Sequence, residues 1–330
     1  MDDPMATTRT DMFLQNDAFT TWHDYLRGLG DSPFTVDLPA PEALPDLLRE
    51  LAIPEEDFAP IIASRPDRNR DPEVWWFLER CVHSLVRHMG RVDAPPTFAP
   101  LRDINDPEHR FFYVHVYLAA HPHAVAYHEQ RGIPKDISRT TLADLGRNVR
   151  VHRKRYGIGG LGVAFWLMRH FRGVIYELGR LQFERARLGS SLASAIPGAG
   201  DDNLVLSVHI PDFLGPMTPE ACDDSIARAR DFFAKHFSEE SYVAAVCHSW
   251  LLDPQLREYL PETSNIIRFQ QRFTLGNHEH DVDTSIVQFI FGPTPANLDE
   301  LPRRSTLERA VVGHLKSGRH WKGRSGWFAL

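Results

Sequence analysis

The sequence predicts an α+β protein: a helical N-terminal half packed on a mixed β-sheet with flanking helices. Three observations predict it. Over residues 13–170, apolar residues recur at spacings of three and four, which draws one buried face along successive helices. At Gly173 the period changes to two, the spacing of a strand with one face buried. From residue 204 to 291 strand and helix patterns then alternate.

The elements follow in order. Residues 1–12 are polar and expected to fray. Residues 13–29 carry a helical spacing, and Pro39-Ala40-Pro41 breaks it. Over 41–51, Leu44, Leu47, Leu48 and Leu51 form one apolar face, and Pro54 opens another helix, where its missing N–H costs nothing. Asp71-Pro72-Glu73 reads as an N-cap carboxylate followed by proline in the first turn of a helix that ends at Gly90. A proline-rich loop over 94–100 leads to a helix over 111–130. The next helix starts at Pro134 and buries Leu142, Leu145 and Val149. Glycines over 157–162 interrupt the pattern before a buried helix over 161–170.

Beyond Gly173, Leu181 and Phe183 alternate with Gln182 and Glu184, and Gly179 marks a bulge or a bend between two strands. A small-residue loop covers 189–202. Strands are expected over 204–211, 242–250, 266–273 and 285–291, with helices over 218–237 and 253–260. The division expected is a helical domain, 1–160, and a sheet domain, 161–330.

Composition narrows the function. With 42% hydrophobic and 25% charged residues, a packed core is expected. A net charge of −7 argues against nucleic acid as a partner. No apolar run approaches the roughly 18 residues that span a bilayer, so no membrane role is expected. The N-terminus lacks the basic start and apolar stretch of a signal peptide. Cys81, Cys222 and Cys247 stand far apart, which points to reduced thiols in a cytoplasm and to no metal site.

Four stretches carry a family resemblance: 173–184, which holds Leu178-Gly-Arg-Leu-Gln-Phe183; 208–222; Cys247-His-Ser-Trp-Leu-Leu-Asp-Pro254; and 264–269. Together they resemble the bacterial acyltransferases that join a helical N-acyltransferase N-terminal domain to a GNAT-like C-terminal domain. The resemblance implies a GNAT-like sheet whose acceptor face the helical half covers. It implies coenzyme A or acyl-CoA as co-substrate, and transfer of an acyl group, acetyl by default, to an amine on a small molecule or peptide. Direct attack in a ternary complex is the expected mechanism. A non-catalytic acyl-CoA-binding or sensor protein is the alternative, and a homodimer stays open.

In that fold two parallel strands splay apart, pantetheine lies in the gap as an added strand would, and pyrophosphate sits on the following helix N-terminus. The resemblance therefore implies donor contacts from Val208, Ile210, Leu214, Gly215, Met217 and Thr218 after the first strand, and from Ser249 and Trp250 after the second. Between Ile210 and Ala221 the chain departs from the usual Gln/Arg-x-x-Gly-x-Gly/Ala loop: only Gly215 is present, three prolines remove donors, and Glu220, Asp223 and Asp224 add negative charge. The run from Arg155 to Gly162 fits Arg-x-Gly-x-Gly, but no strand leads into it, so a closely packed helix break is favoured.

Acyl transfer needs a neutral amine and a protonated leaving thiolate. The resemblance makes Tyr259 the expected acid. His209 and His248, on the two splayed strands, are the candidate bases. Cys247 alternates with His248 and faces the other way, as a buried hydrophobe. Arg180, Arg185 and Arg187 are candidates for donor phosphates, although a solvated strand face is favoured. His278, His280 and the acids beside them are read as a solvated hairpin tip rather than a metal site.

Overall fold

The computed structural model describes residues 17–93, 95–99, 101, 106–200, 202–292 and 297–330. The expected N-terminal tail and part of the 94–100 loop lie outside them. The chain divides into two compact units, Met1–Tyr176 and Glu177–Leu330.

The first unit is helical, with helices at Asp17–Gly28, Leu44–Glu50, Phe58–Ala63, Pro72–Arg87, Pro107–Gln130, Lys135–Leu142, Asp144–Tyr156 and Ala164–Phe171. Its core is aromatic: Trp22 meets Phe77 edge-on at 4.8 Å, and Phe98 stacks on Tyr113 at 5.0 Å. The Pro107–Gln130 helix continues through Pro122. Residues 111–114 and 116–120 are all buried, and that packing outweighs the lost hydrogen bond. Asp71 does not cap the helix it precedes; its carboxylate accepts from the Asp67 N–H at 3.2 Å and from Arg70 Nε at 2.9 Å.

The glycine run is a packing device. Gly157 ends its helix at φ +76°, where a side chain would be strained. A Cβ on Gly159 would collide with the buried Asp57 carboxylate, which Arg153 holds, and one on Gly160 would lie 2.8 Å from the His152 ring.

The second unit is built on a six-stranded sheet: β1 Ile175–Leu178, β2 Leu181–Arg187, β3 Leu204–His209, β4 Tyr242–Ser249, β5 Thr274–Asp281 and β6 Lys322–Phe328, in the order β1-β2-β3-β4-β6-β5. Only β3 and β4 are parallel among the pairs with recorded register; the Pro219–His236 helix makes the crossover between them. Gly179, at φ +88°, turns β1 into β2.

Two expected strands are helices. Residues 266–270 belong to the Asn265–Gln270 helix and 271–273 to the turn after it, because the Ser264 hydroxyl accepts from the Ile267 N–H and caps that helix. The expected strand over 285–291 lies in the Asp283–Phe291 helix. The run read as a hairpin tip is instead most of β5, which is polar and exposed along nearly its whole length. Cross-strand charge holds it: Glu279 faces Arg324 and Asp281 faces Lys322 on β6. Gly323 and Gly326 let β6 in, since a Cβ on either would press within 3.0 Å of neighbouring side chains.

Candidate active site

The parallel pair shapes the site. β3 and β4 are in register up to Ser207↔Val246. Beyond that point each turns to its other neighbour: His209 pairs with Gln182 of β2, and His248 and Ser249 pair with Ser325 and Arg324 of β6. The ladder between β3 and β4 thus opens before the strand ends, beside Val208 and Cys247, where an added strand would pair.

Four side chains on adjacent strands gather across that opening. His209 Nε2 lies 2.8 Å from the Glu184 carboxylate, with both side chains largely buried. His248 Nδ1 lies 2.6 Å from the Ser325 hydroxyl. The atoms packed around the His248 ring lower its pKa below the ordinary histidine value, and nearby His209 and His280 reinforce the shift while Glu184 opposes it. His248 still reaches solvent at its outer edge. Glu184 fixes the His209 tautomer: the carboxylate accepts from Nε2–H, so the Nδ1 atom carries the basic lone pair. That is an acid–imidazole dyad at the mouth of the gap, with a neutral second imidazole one strand away.

Sequence reasoning found His209 and His248 but missed Glu184 and Ser325 as their partners. Glu184 is 25 positions from His209 and Ser325 is 77 from His248, so only strand pairing brings them together. The Tyr259 hydroxyl lies 2.9 Å from His314 Nδ1, and both rings pack on Trp321. Trp250 belongs to the same cluster and meets Phe289 edge-on at 5.8 Å. Ser249 caps the short turn after β4 by accepting from the Leu251 N–H at 3.1 Å. Cys247 is buried, and burial pushes its thiol up to about 12, far from a nucleophile's value.

The loop after β3 ends in a helix start with few spare donors. Pro219 has none, the Thr218 hydroxyl takes the Ala221 N–H at 3.2 Å, and the Thr218 carbonyl takes that of Cys222. Met217 is buried, Leu214 half-buried, and Gly215 sits at φ +77°. Two of the three acids there are neutralised: Asp223 pairs with Arg272, and Asp224 with Arg228 at 2.8 Å. Of the three candidate arginines, Arg185 is buried against Glu240 and over the Phe237 ring, and Arg187 donates to the Asp202 carbonyl. Arg180 reaches the loop, its Nε donating to the Gly215 carbonyl at 2.9 Å.

The first unit encloses a separate cavity of about 300 Å³, lined by Phe98, Tyr113, Arg110 and His152 among others; it contains none of the expected site residues. Among the described residues no cluster of three or more His, Cys, Asp or Glu is placed to hold a metal ion, and no helix is long and apolar enough to cross a membrane.

Comparison with known proteins covers both units. Residues 42–173 match the N-acyltransferase N-terminal domain, and 175–328 the GNAT-like C-terminal domain. Among solved structures, an acyltransferase in complex with decanoyl-CoA and teicoplanin is 43% identical over 98% of both chains, with a TM-score of 0.89. An acyltransferase variant in complex with octanoyl-CoA, and an acyltransferase with CoA and 10C-teicoplanin, are each 42% identical over 98% of both chains, also with a TM-score of 0.89. No curated protein matches the chain.

Proposed function

Because the chain belongs to the acyltransferases that join an N-acyltransferase N-terminal domain to a GNAT-like C-terminal domain, we propose that it transfers a medium-chain acyl group from acyl-CoA to an amine on a bulky, peptide-like acceptor. The acyl-CoA donor follows from the family and from the CoA complexes of its neighbours. Octanoyl and decanoyl donors in those neighbours favour a medium chain over the acetyl group expected from the sequence. Teicoplanin, bound by one neighbour, suggests a glycopeptide-sized acceptor.

The observation that carries this reading is the His209–Glu184 dyad at the parting of β3 and β4. The amine nitrogen attacks the thioester carbonyl, and His209 accepts the proton that the nitrogen sheds. Glu184 steadies the imidazolium that results. The C–S bond then breaks, and the CoA thiolate takes that proton back from His209, so one residue serves as base and then as acid. His248, kept neutral by its surroundings, borders the path without carrying charge. No enzyme-bound acyl group forms, and the high pKa of Cys247 agrees with that.

The test is thiol release from decanoyl-CoA and from acetyl-CoA, with a glycopeptide bearing an amino sugar as acceptor and mass spectrometry of the product. An acceptor heavier by one acyl group, formed faster from decanoyl-CoA, is the expected result. Thiol release that ignores the acceptor would sink the assignment.

A further inference from the structure

We propose that Arg180 binds the pyrophosphate of the acyl donor, a side-chain guanidinium standing in for the loop amides that this chain lacks. The inference rests on the acyl-CoA reading above and names the group that anchors the donor. The usual loop supplies backbone N–H donors at a helix start. Here prolines and the Thr218 cap have removed or occupied most of them, so an anion at this point needs charge from somewhere else.

Arg180 is placed to give it. It occupies the turn between β1 and β2, and its own N–H and that of Leu181 are fixed on the Ser225 hydroxyl, at 2.7 and 3.2 Å, in the second turn of the crossover helix. The turn is thereby held against the helix start. From there the side chain crosses to the phosphate loop and binds the Gly215 carbonyl. Its Nη1 is buried and has no hydrogen-bond partner among the described residues, and no described carboxylate forms an ion pair with it. An unpaired guanidinium with an orphaned buried N–H is costly unless an anion completes it. Burial accordingly lowers its pKa from the usual arginine value. Of the acids nearby, Asp223 is engaged with Arg272 and Asp224 with Arg228, while Asp212 lies near enough to favour the charged guanidinium without an ion pair to it among the described residues. Arg272 also donates to the Pro219 carbonyl at 3.0 Å, so it braces the same helix start from the opposite side. Arginine suits a pyrophosphate because its planar fork can bind two oxygens at once.

Calorimetric titration with decanoyl-CoA and with decanoyl-pantetheine, which carries no phosphate, separates the possibilities. A charge-assisted contact is worth about 1.5–3 kcal/mol, so Arg180→Ala should weaken decanoyl-CoA roughly 10- to 150-fold. It should leave decanoyl-pantetheine unchanged, which also shows that the variant is folded. Arg180→Lys should fall between the two, and Arg187→Ala, an equal charge change on the exposed end of β2, should bind like the wild type. Unchanged decanoyl-CoA affinity in Arg180→Ala overturns the proposal, and so does equal weakening of both ligands, which makes Arg180 a strap for the turn and nothing more. Wild-type protein that binds neither ligand overturns the acyl-CoA reading itself.

Discussion

Two histidines of the helical unit and two of the sheet unit do opposite work. In the helical unit, His115 and His128 are buried with neutral partners, the hydroxyls of Ser64 at 3.2 Å and Ser138 at 2.7 Å. Burial drives their pKa values down, to about 3 and about 4, so they stay uncharged across the physiological range. In the sheet unit, His209 and His320 are each set against a carboxylate, Glu184 and Asp283. At His320 that carboxylate raises the pKa. The partner and the access to water, rather than the residue type, decide which histidines can carry a proton during turnover. The sheet-unit pair at the strand opening is therefore the place to break function, and the helical-unit pair the place to break stability.

The largest effect belongs to His209→Ala. Loss of a positioned base costs on the order of 10²- to 10⁴-fold in rate. The turnover number with decanoyl-CoA should fall in that range while decanoyl-CoA affinity holds, because the donor lies along the backbone of the gap. A variant that turns over at the wild-type rate would remove His209 from the reaction.

Glu184→Gln comes next, at roughly 10- to 100-fold, since the amide oxygen can still accept from Nε2–H but carries no charge. A rate within about twofold of wild type would make Glu184 a packing residue and not the partner of the base.

Much of this was legible in the sequence, and what was not has physical causes. The helical unit could be read because Leu44, Leu48 and Leu51, or Leu142, Leu145 and Val149, repeat along one buried face. The strand holding His209 could be read from its apolar run. β5 could not, because an edge strand that faces water on both sides leaves no apolar alternation; its signal is the charge pairing with β6, which a linear reading does not show. Ile266 and Ile267 suggested a strand, yet the Ser264 cap settles that segment as helix. Glu184 and Arg180 lie inside the stretch that carried the family resemblance, but their roles need the contacts to His209 and Gly215.

The stability half of the comparison has its own test. An unfolded histidine titrates near 6.5, whereas folded His115 and His128 resist protonation down to about 3 and about 4. As pH falls below 6.5 the unfolded chain takes up protons that the folded chain refuses, so stability drops with pH until those folded values are reached. Between pH 7 and pH 5 each histidine should cost about 2 kcal/mol. Denaturant melts at both pH values measure it, and His115→Gln should flatten the loss by about that amount. A variant as acid-sensitive as the wild type would mean that other groups govern acid unfolding.

The smallest effect expected is that of Tyr259→Phe, and it sharpens the comparison because the family resemblance makes this tyrosine the acid. Its hydroxyl is spent on His314, a fully buried ring stacked on Trp321 at 4.0 Å, so the hydroxyl serves the core of the sheet unit. Removing it deletes one hydrogen bond and leaves a buried imidazole nitrogen short of a partner, a cost of about 1–3 kcal/mol in stability. The turnover number at 25 °C should stay within about threefold of wild type, because His209 returns the proton to the thiolate in the mechanism above. A drop of a hundredfold or more with stability intact would reverse the assignment. It would place the Tyr259 hydroxyl at the leaving thiolate during turnover, and His209 would then act as base alone.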